Sequence, residues 1–248
     1  VYSVGGDGIS IRDTTSPIVE YNVVHDANAR SGDYNNAIWT YNATNAKIQY
    51  NEAYLTRTTK DGLGLGVDYL QDGAILQYNY THDNEGGAVG FYTDGTWAPQ
   101  SNRNFKIRYN ISQNDGAAIY NFFGSAVNGE IYNNTVYVKG DSSPALYKFN
   151  NWGGYASNIS SKNNIFYNLG NGYYEWGQSS AITFDHNLFY GVHPANEPSD
   201  AFKITSDPLL VNPGNGRIGI HSVDGYKLLS GSPALTAGTL IANHGGQD

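Results

Sequence analysis

The chain of 248 residues has no cysteine and no methionine. Disulfides and thiolate metal sites are thereby excluded, although the compartment stays open. Charge is scarce: 14 Lys and Arg stand against 22 Asp and Glu, a net charge of −8. With no basic block anywhere, a nucleic-acid partner is not expected. No apolar run is long enough to span a membrane, so a membrane partner is not expected either. A signal peptide and an initiator methionine are also missing, and the expectation is a processed or trimmed chain. Helix-period patterns are missing too. What is abundant is glycine, with 30 residues, and tyrosine, with 21. That is too aromatic and apolar for a disordered chain.

The sequence repeats itself. Short segments end on asparagine at Asn22, Asn51, Asn79, Asn110, Asn134, Asn164 and Asn187, with successive spacings of 29, 28, 31, 24, 30 and 23 residues. Three positions before the asparagine stand Val19, Ile48, Leu76, Ile107 and Ile131, read as inward. Two before it stand mostly polar residues such as Glu20, Gln49 and Gln77, read as outward. One before it come Tyr21, Tyr50, Tyr78 and Tyr109, expected by alternation to stack on the inside. Period-2 alternation is a strand signal. A second strand pattern precedes each of these, as in GISI (8–11), NAIW (36–39), GLGLGV (62–67), GAVGF (87–91), GAAIY (116–120) and PALY (144–147). Short strands in repeats of this length, each with a buried column, describe a solenoid.

Coils of such a solenoid stack about 4.8 Å apart, so a column of asparagines can hydrogen-bond from coil to coil at one corner. Asparagine also tolerates the left-handed backbone of a sharp corner. With that column the chain resembles the right-handed parallel β-helix proteins of the pectate-lyase-like superfamily, over roughly residues 5–192. The resemblance implies an all-β, single-stranded right-handed parallel β-helix with an Asn ladder and about seven coils. It divides the chain into β-helix coils, 1–192, and a closing segment, 193–248, expected to cap the C-terminal end of the core. It also implies a secreted, extracellular bacterial protein acting as a monomer on a polysaccharide or oligosaccharide. No N-terminal cap is evident, and a longer protein is expected to precede the first coil. The motif specifies a fold and is nearly silent on activity.

Several acids compete for a catalytic role. His82 and Asp83 fall in columns with His25, Tyr54 and Gln113, or with Asp26 and Asn114, and read as architecture. A second acidic column, Asp7, Asp33, Asp61, Glu85 and Asp115, stands just before the first strand of successive coils. Asp-Gly turn chemistry accounts for much of it, but less well for Glu85. Here Glu85-Gly-Gly-Ala-Val is matched without a gap to Asp115-Gly-Ala-Ala-Ile. Stacked carboxylates repel, and such a row raises a pKa, recruits a cation or splays. Asp33, Asp61 and Glu85 are therefore candidate Ca²⁺ ligands, although no cofactor is required. At the far end of the strands stand Asp68 and Asp94.

Alternation places Leu63, Leu65 and Val67 inside and Gly64, Gly66 and Asp68 outside, with Gly90 and Tyr92 outside in the next coil. Outward Gly66 and Gly90 would form a flat floor where a ligand meets the backbone. Tyr92 and Trp97 can stack on a sugar face, with Trp39, Trp152 and Trp176 as alternatives. Arg57 is a further substrate-binding candidate.

The leading reading is a glycoside hydrolase using Asp61, Asp68 and Glu85, with Asp94 in reserve, as acid and base. Along a straight strand, Asp61 and Asp68 would lie roughly 23 Å apart. That is too far for a hydrolase pair, so cross-coil pairs Asp61/Glu85 and Asp68/Asp94 fit better unless a bend intervenes. The signatures of the polygalacturonase family are absent. A polysaccharide lyase, with Arg57 and Lys60 beside Asp61 and Ca²⁺ on a uronan, is the closest rival. The net charge disfavours its anionic substrate. A non-catalytic carbohydrate-binding or surface β-helix is the third reading.

Overall fold

The computed structural model describes residues 1–30, 34–58, 60–242 and 244. Its coils build three seven-stranded sheets in which every neighbouring pair is parallel, a parallel β-helix. The first sheet holds Ile9–Thr15, Ile38–Thr44, Leu63–Asp68, Gly87–Thr93, Ala118–Gly124, Ala145–Asn150 and Tyr173–Glu175. The second runs from Ile18–Glu20 to Ser180–Asp185, and the third from Val23–His25 to Leu188–Gly191. Val19, Ile48, Leu76, Ile107 and Ile131 are buried in the core cluster, as the column pattern requires.

The asparagines form a continuous chain of hydrogen bonds. Asn51 Nδ2 donates to Asn79 Oδ1 at 3.0 Å, Asn79 to Asn110 at 2.9 Å, and Asn110 to Asn134 at 3.0 Å. Each amide also donates to a backbone carbonyl of a neighbouring coil, as Asn79 does to Ile48. Carbonyls that the corner leaves inside the stack are thereby satisfied. The chain of amides ends on an acid: Asp200 accepts from both Asn187 N and Asn187 Nδ2 at 2.9 Å.

The tyrosine column departs from the expectation. Tyr21, Tyr50, Tyr78 and Tyr109 stack at 5.0–5.2 Å between ring centroids, but outside the coil, with Tyr21 72 % exposed. Each has a φ of 54–57°. Leaving the extended region one residue before the asparagine swings the side chain out, so strand alternation stops there. A smaller correction concerns Gly64, which faces inward: a Cβ there would stand 3.0 Å from Thr81 Cγ2 and 2.9 Å from Asn84 Nδ2. The bend at the start of the first-sheet strands puts consecutive residues inside, Ala37 with Ile38 and Ala88 with Val89.

The acidic column also shifts. The register pairs Gly87 with Ala118, one residue away from the ungapped match. Asp115 therefore stacks on Asn84 rather than on Glu85. It is buried and accepts from Asn84 Nδ2, Thr81 Oγ1 and Ser112 Oγ at 2.8, 2.6 and 2.7 Å. It is a rung of a second internal polar ladder.

Beyond Asp200 the C-terminal segment leaves the end of the helix and returns along its flanks. Gly216 exchanges hydrogen bonds with the Gln113 side chain, and Gly219 N donates to Glu52 Oε1 at 2.7 Å. Thr239 pairs with the Asn163 side chain on the second sheet. The ring column His25–Tyr54–His82 is stacked at 4.6–4.8 Å, and His82 is buried under this strap between Glu52 and Asp83.

Candidate active site

The outer face of the first sheet carries a cavity of about 610 Å³ around the strands Leu63–Asp68 and Gly87–Thr93. Asp61 and Asp68 border it together, along with Tyr92 and Asn36. The straight-strand separation does not apply, because Asp61 lies before the strand and beyond a turn. Gly62 has φ +70°, and a Cβ there would meet Thr58 Cβ at 2.3 Å and Arg57 O at 2.7 Å. This turn folds Asp61 back over the sheet. It acts electrostatically on Asp68 from there.

Asp68 ends its strand with one carboxylate oxygen taking the Tyr69 N–H at 2.9 Å. Burial pushes its pKa up to about 6, with the Asp61 charge adding to the rise. The Tyr69 N–H and Arg12 pull the other way without cancelling it. Its place is fixed from behind by a buried amide: Gln71 Nε2 donates to the Asp68 carbonyl at 2.7 Å and to the Thr40 carbonyl at 2.5 Å. Asn102 then joins the neighbouring coil, donating to the carbonyls of Val67 and Tyr92 at 3.1 and 2.8 Å.

Aromatic rings wall the cavity. Trp39, with the Arg12 guanidinium 4.5 Å from its ring centroid, stands on one coil. Tyr69 and Trp152 meet edge-on at 5.5 Å on the Asp68 side. Trp152 is 38 % exposed and lines the cavity. Trp97 meets Tyr69 edge-on at 5.1 Å and is 59 % exposed, outside the lining of the cavity. Tyr92 lines the cavity but lies stacked on Phe123 at 5.0 Å, so its ring face is covered. The glycine floor is filled as well. A Cβ on Gly90 would stand 2.9 Å from the Tyr92 hydroxyl, and one on Gly66 2.9 Å from Trp39 Cβ. These glycines make room for the site's own side chains.

The other candidates are turned elsewhere. Glu85 pairs with Arg57 at 2.8 Å and accepts the Thr58 N–H, which engages both residues away from the cavity. Asp94 is partly exposed and caps its own loop, accepting from Thr96 N and Oγ1 at 2.8 and 2.6 Å. Of the two cross-coil pairs, only Asp61 and Asp68 line the cavity, and Glu85 and Asp94 do not. Of the proposed Ca²⁺ ligands, Asp33 lies outside the described residues. Among the described residues no cluster of three or more His, Asp or Glu side chains could hold a metal. Asn36, Tyr69 and Phe123 were not signalled by the repeat, because they come from three different coils and the corner turn.

The fold and this site define a parallel β-helix with a carboxylate pair in an aromatic-walled cleft on its first sheet. No family model matches the chain. It is 29% identical over 284 aligned positions to a lacto-N-biosidase of Bifidobacterium longum subsp. longum, an alignment taking in 98% of this chain. The chain spans 17% of that relative's length. Two structures of a GH136 lacto-N-biosidase from Eubacterium ramulus, native and selenomethionine derivative, superpose with a TM-score of 0.46 at 24% identity. They cover 74% of this chain and 27% of theirs.

Proposed function

We propose that this chain carries the active site of a glycoside hydrolase that cleaves an oligosaccharide. The observation that carries the reading is the placement of Asp61 and Asp68 on one cavity, with burial raising Asp68 toward neutrality. Paired carboxyls with divergent environments take the two halves of acid–base work. Asp68 gives its proton to the glycosidic oxygen as the C–O bond breaks, and Asp61 acts as the carboxylate that attacks the sugar or activates water. Trp39, Tyr69 and Trp152 supply apolar surface for a sugar ring. The relative in Bifidobacterium longum is named a lacto-N-biosidase, which makes a substrate of that enzyme the first oligosaccharide to test.

The lyase reading finds less support at this site. Arg57 is held by Glu85, and Lys60 lies over the Tyr34 ring at 4.0 Å. We place the protein in the secreted bacterial β-helix class, acting as a monomer without a required metal. The test is an oligosaccharide panel with the wild type, Asp61→Ala and Asp68→Ala. Reducing ends released by the wild type and lost in both variants support hydrolysis. An unsaturated product on a uronan, or glycan retention without any cleavage, overturns it.

A further inference from the structure

Tyr92 is a buried polar group of the site, 6 % exposed, and its ring is fixed from three directions. It is stacked on Phe123 with planes 8° apart, lies back over Gly90, and belongs to a strand clamped by Asn102. Register places it directly opposite Asp68 in the preceding coil. Its hydroxyl is 3.2 Å from Asn36 Oδ1 and also hydrogen-bonds Asp61. Asn36 Oδ1 already takes the Leu63 N–H at 3.0 Å. A carboxylate is the stronger acceptor of the single phenolic proton, since charge-assisted hydrogen bonds are about twice as strong as neutral ones.

We infer that Tyr92 is a positioning residue whose hydroxyl fixes the orientation and the charge of the Asp61 carboxylate. The inference rests on the hydrolase reading for its catalytic consequence, but the contact itself does not. A donor to the ionised form favours that form. Asp61 and Asp68 oppose one another's charge, Asp7 and Arg12 act on Asp68 in opposite directions, and the Tyr69 phenol feels both carboxylates. Tyr92 thus favours the charged form of one acid beside a second acid whose pKa burial raises to about 6. It reaches this role because Gly90 carries no side chain. Burial of its own phenol holds its pKa well above the ordinary value, so it stays a donor throughout the working range.

The test uses the full protein with Tyr92→Phe, which retains the ring on Phe123. Side-chain ¹³C titration of the aspartates reads Asp61 directly, its resonance assigned by its loss in Asp61→Asn. The expected result is an upward move of the Asp61 titration by about one pH unit, with the same move in the acidic limb of kcat/KM. The expected loss in kcat is about tenfold to a hundredfold, with KM within about twofold. A replacement that only loosened packing would lower stability without moving either titration. Should Tyr92→Phe fold poorly, 3,5-difluorotyrosine at position 92, a stronger donor of the same shape, is expected to move Asp61 downward. An Asp61 titration equal in wild type and variant overturns the inference. A wild type that cleaves no oligosaccharide overturns the hydrolase reading instead, while the ¹³C titration still decides the role of Tyr92.

Discussion

Asp61 and Asp68, seven residues apart in the chain, border the same cavity because the Gly62 turn folds the first back toward the second. One coil thus carries both acids, one before its first-sheet strand and one at that strand's end, while the next coil supplies Tyr92 beside them. The arrangement makes the pair sensitive to the turn, to the strand end and to the neighbouring coil.

Asp68 must be protonated to act as the acid. With its pKa pushed up to about 6, activity is expected to fall as pH rises through that value. The basic limb of kcat/KM against pH measures it. Asp68→Asn is expected to lower kcat by about 10²–10⁴-fold and to abolish that limb.

Trp152 is expected to bind rather than react. Trp152→Ala should raise KM by about tenfold and leave kcat within about threefold, since it removes contact common to ground and transition states. Steady-state kinetics on the cleaved oligosaccharide separate the two constants. A loss confined to kcat would remove Trp152 from the sugar-binding wall.

The strap over the third sheet carries a pH signature. Burial opposes the charge on His82, but hydrogen bonds to Asp83 and Glu52 outweigh it and raise its pKa to about 9. The folded value lies above the ordinary 6.5, so this stabilisation is fully present below pH 6.5 and lost as pH rises through about 9. Thermal unfolding should show Tm declining over that window. In His82→Gln the decline should flatten. An unchanged slope in the variant would assign the decline to other groups.

Asn110, in the middle of the stacked asparagines, is expected to be costly to replace. Its side chain accepts from Asn79 N and Nδ2 and donates to Asn134 and to the Leu76 carbonyl. Asn110→Ala strands several buried polar groups, at about 1–3 kcal/mol each. Urea unfolding should therefore show a loss of roughly 3 kcal/mol or more.

The repeat was legible because its causes are local. A corner needs asparagine, and the residue three before it must face the core, so Val19 through Ile131 could be read directly. The tyrosine column was misread because a left-handed φ breaks alternation without leaving a mark in residue type. Asp115 was matched to Glu85 for a similar reason: a one-residue slip between coils is invisible where both are followed by small residues. Asp61 and Asp68 were legible as candidates, but their meeting depends on the Gly62 turn. Trp152, Tyr69 and Phe123 converge from separate coils, a relation of stacking that no spacing within one repeat expresses. The strap contacts link Glu52 to Gly219 across the whole helix and left no periodic trace.

The most direct test of the carboxylate pair is Asp68→Ala assayed on two substrates that differ only in leaving group. One is the natural oligosaccharide, and the other is the nitrophenyl glycoside of the sugar that the wild type releases. A nitrophenolate leaves without protonation, so loss of a general acid should spare it. A loss of about 10³-fold is expected on the oligosaccharide and less than about tenfold on the nitrophenyl glycoside. Equal losses on both substrates, or no loss on either, would contradict it.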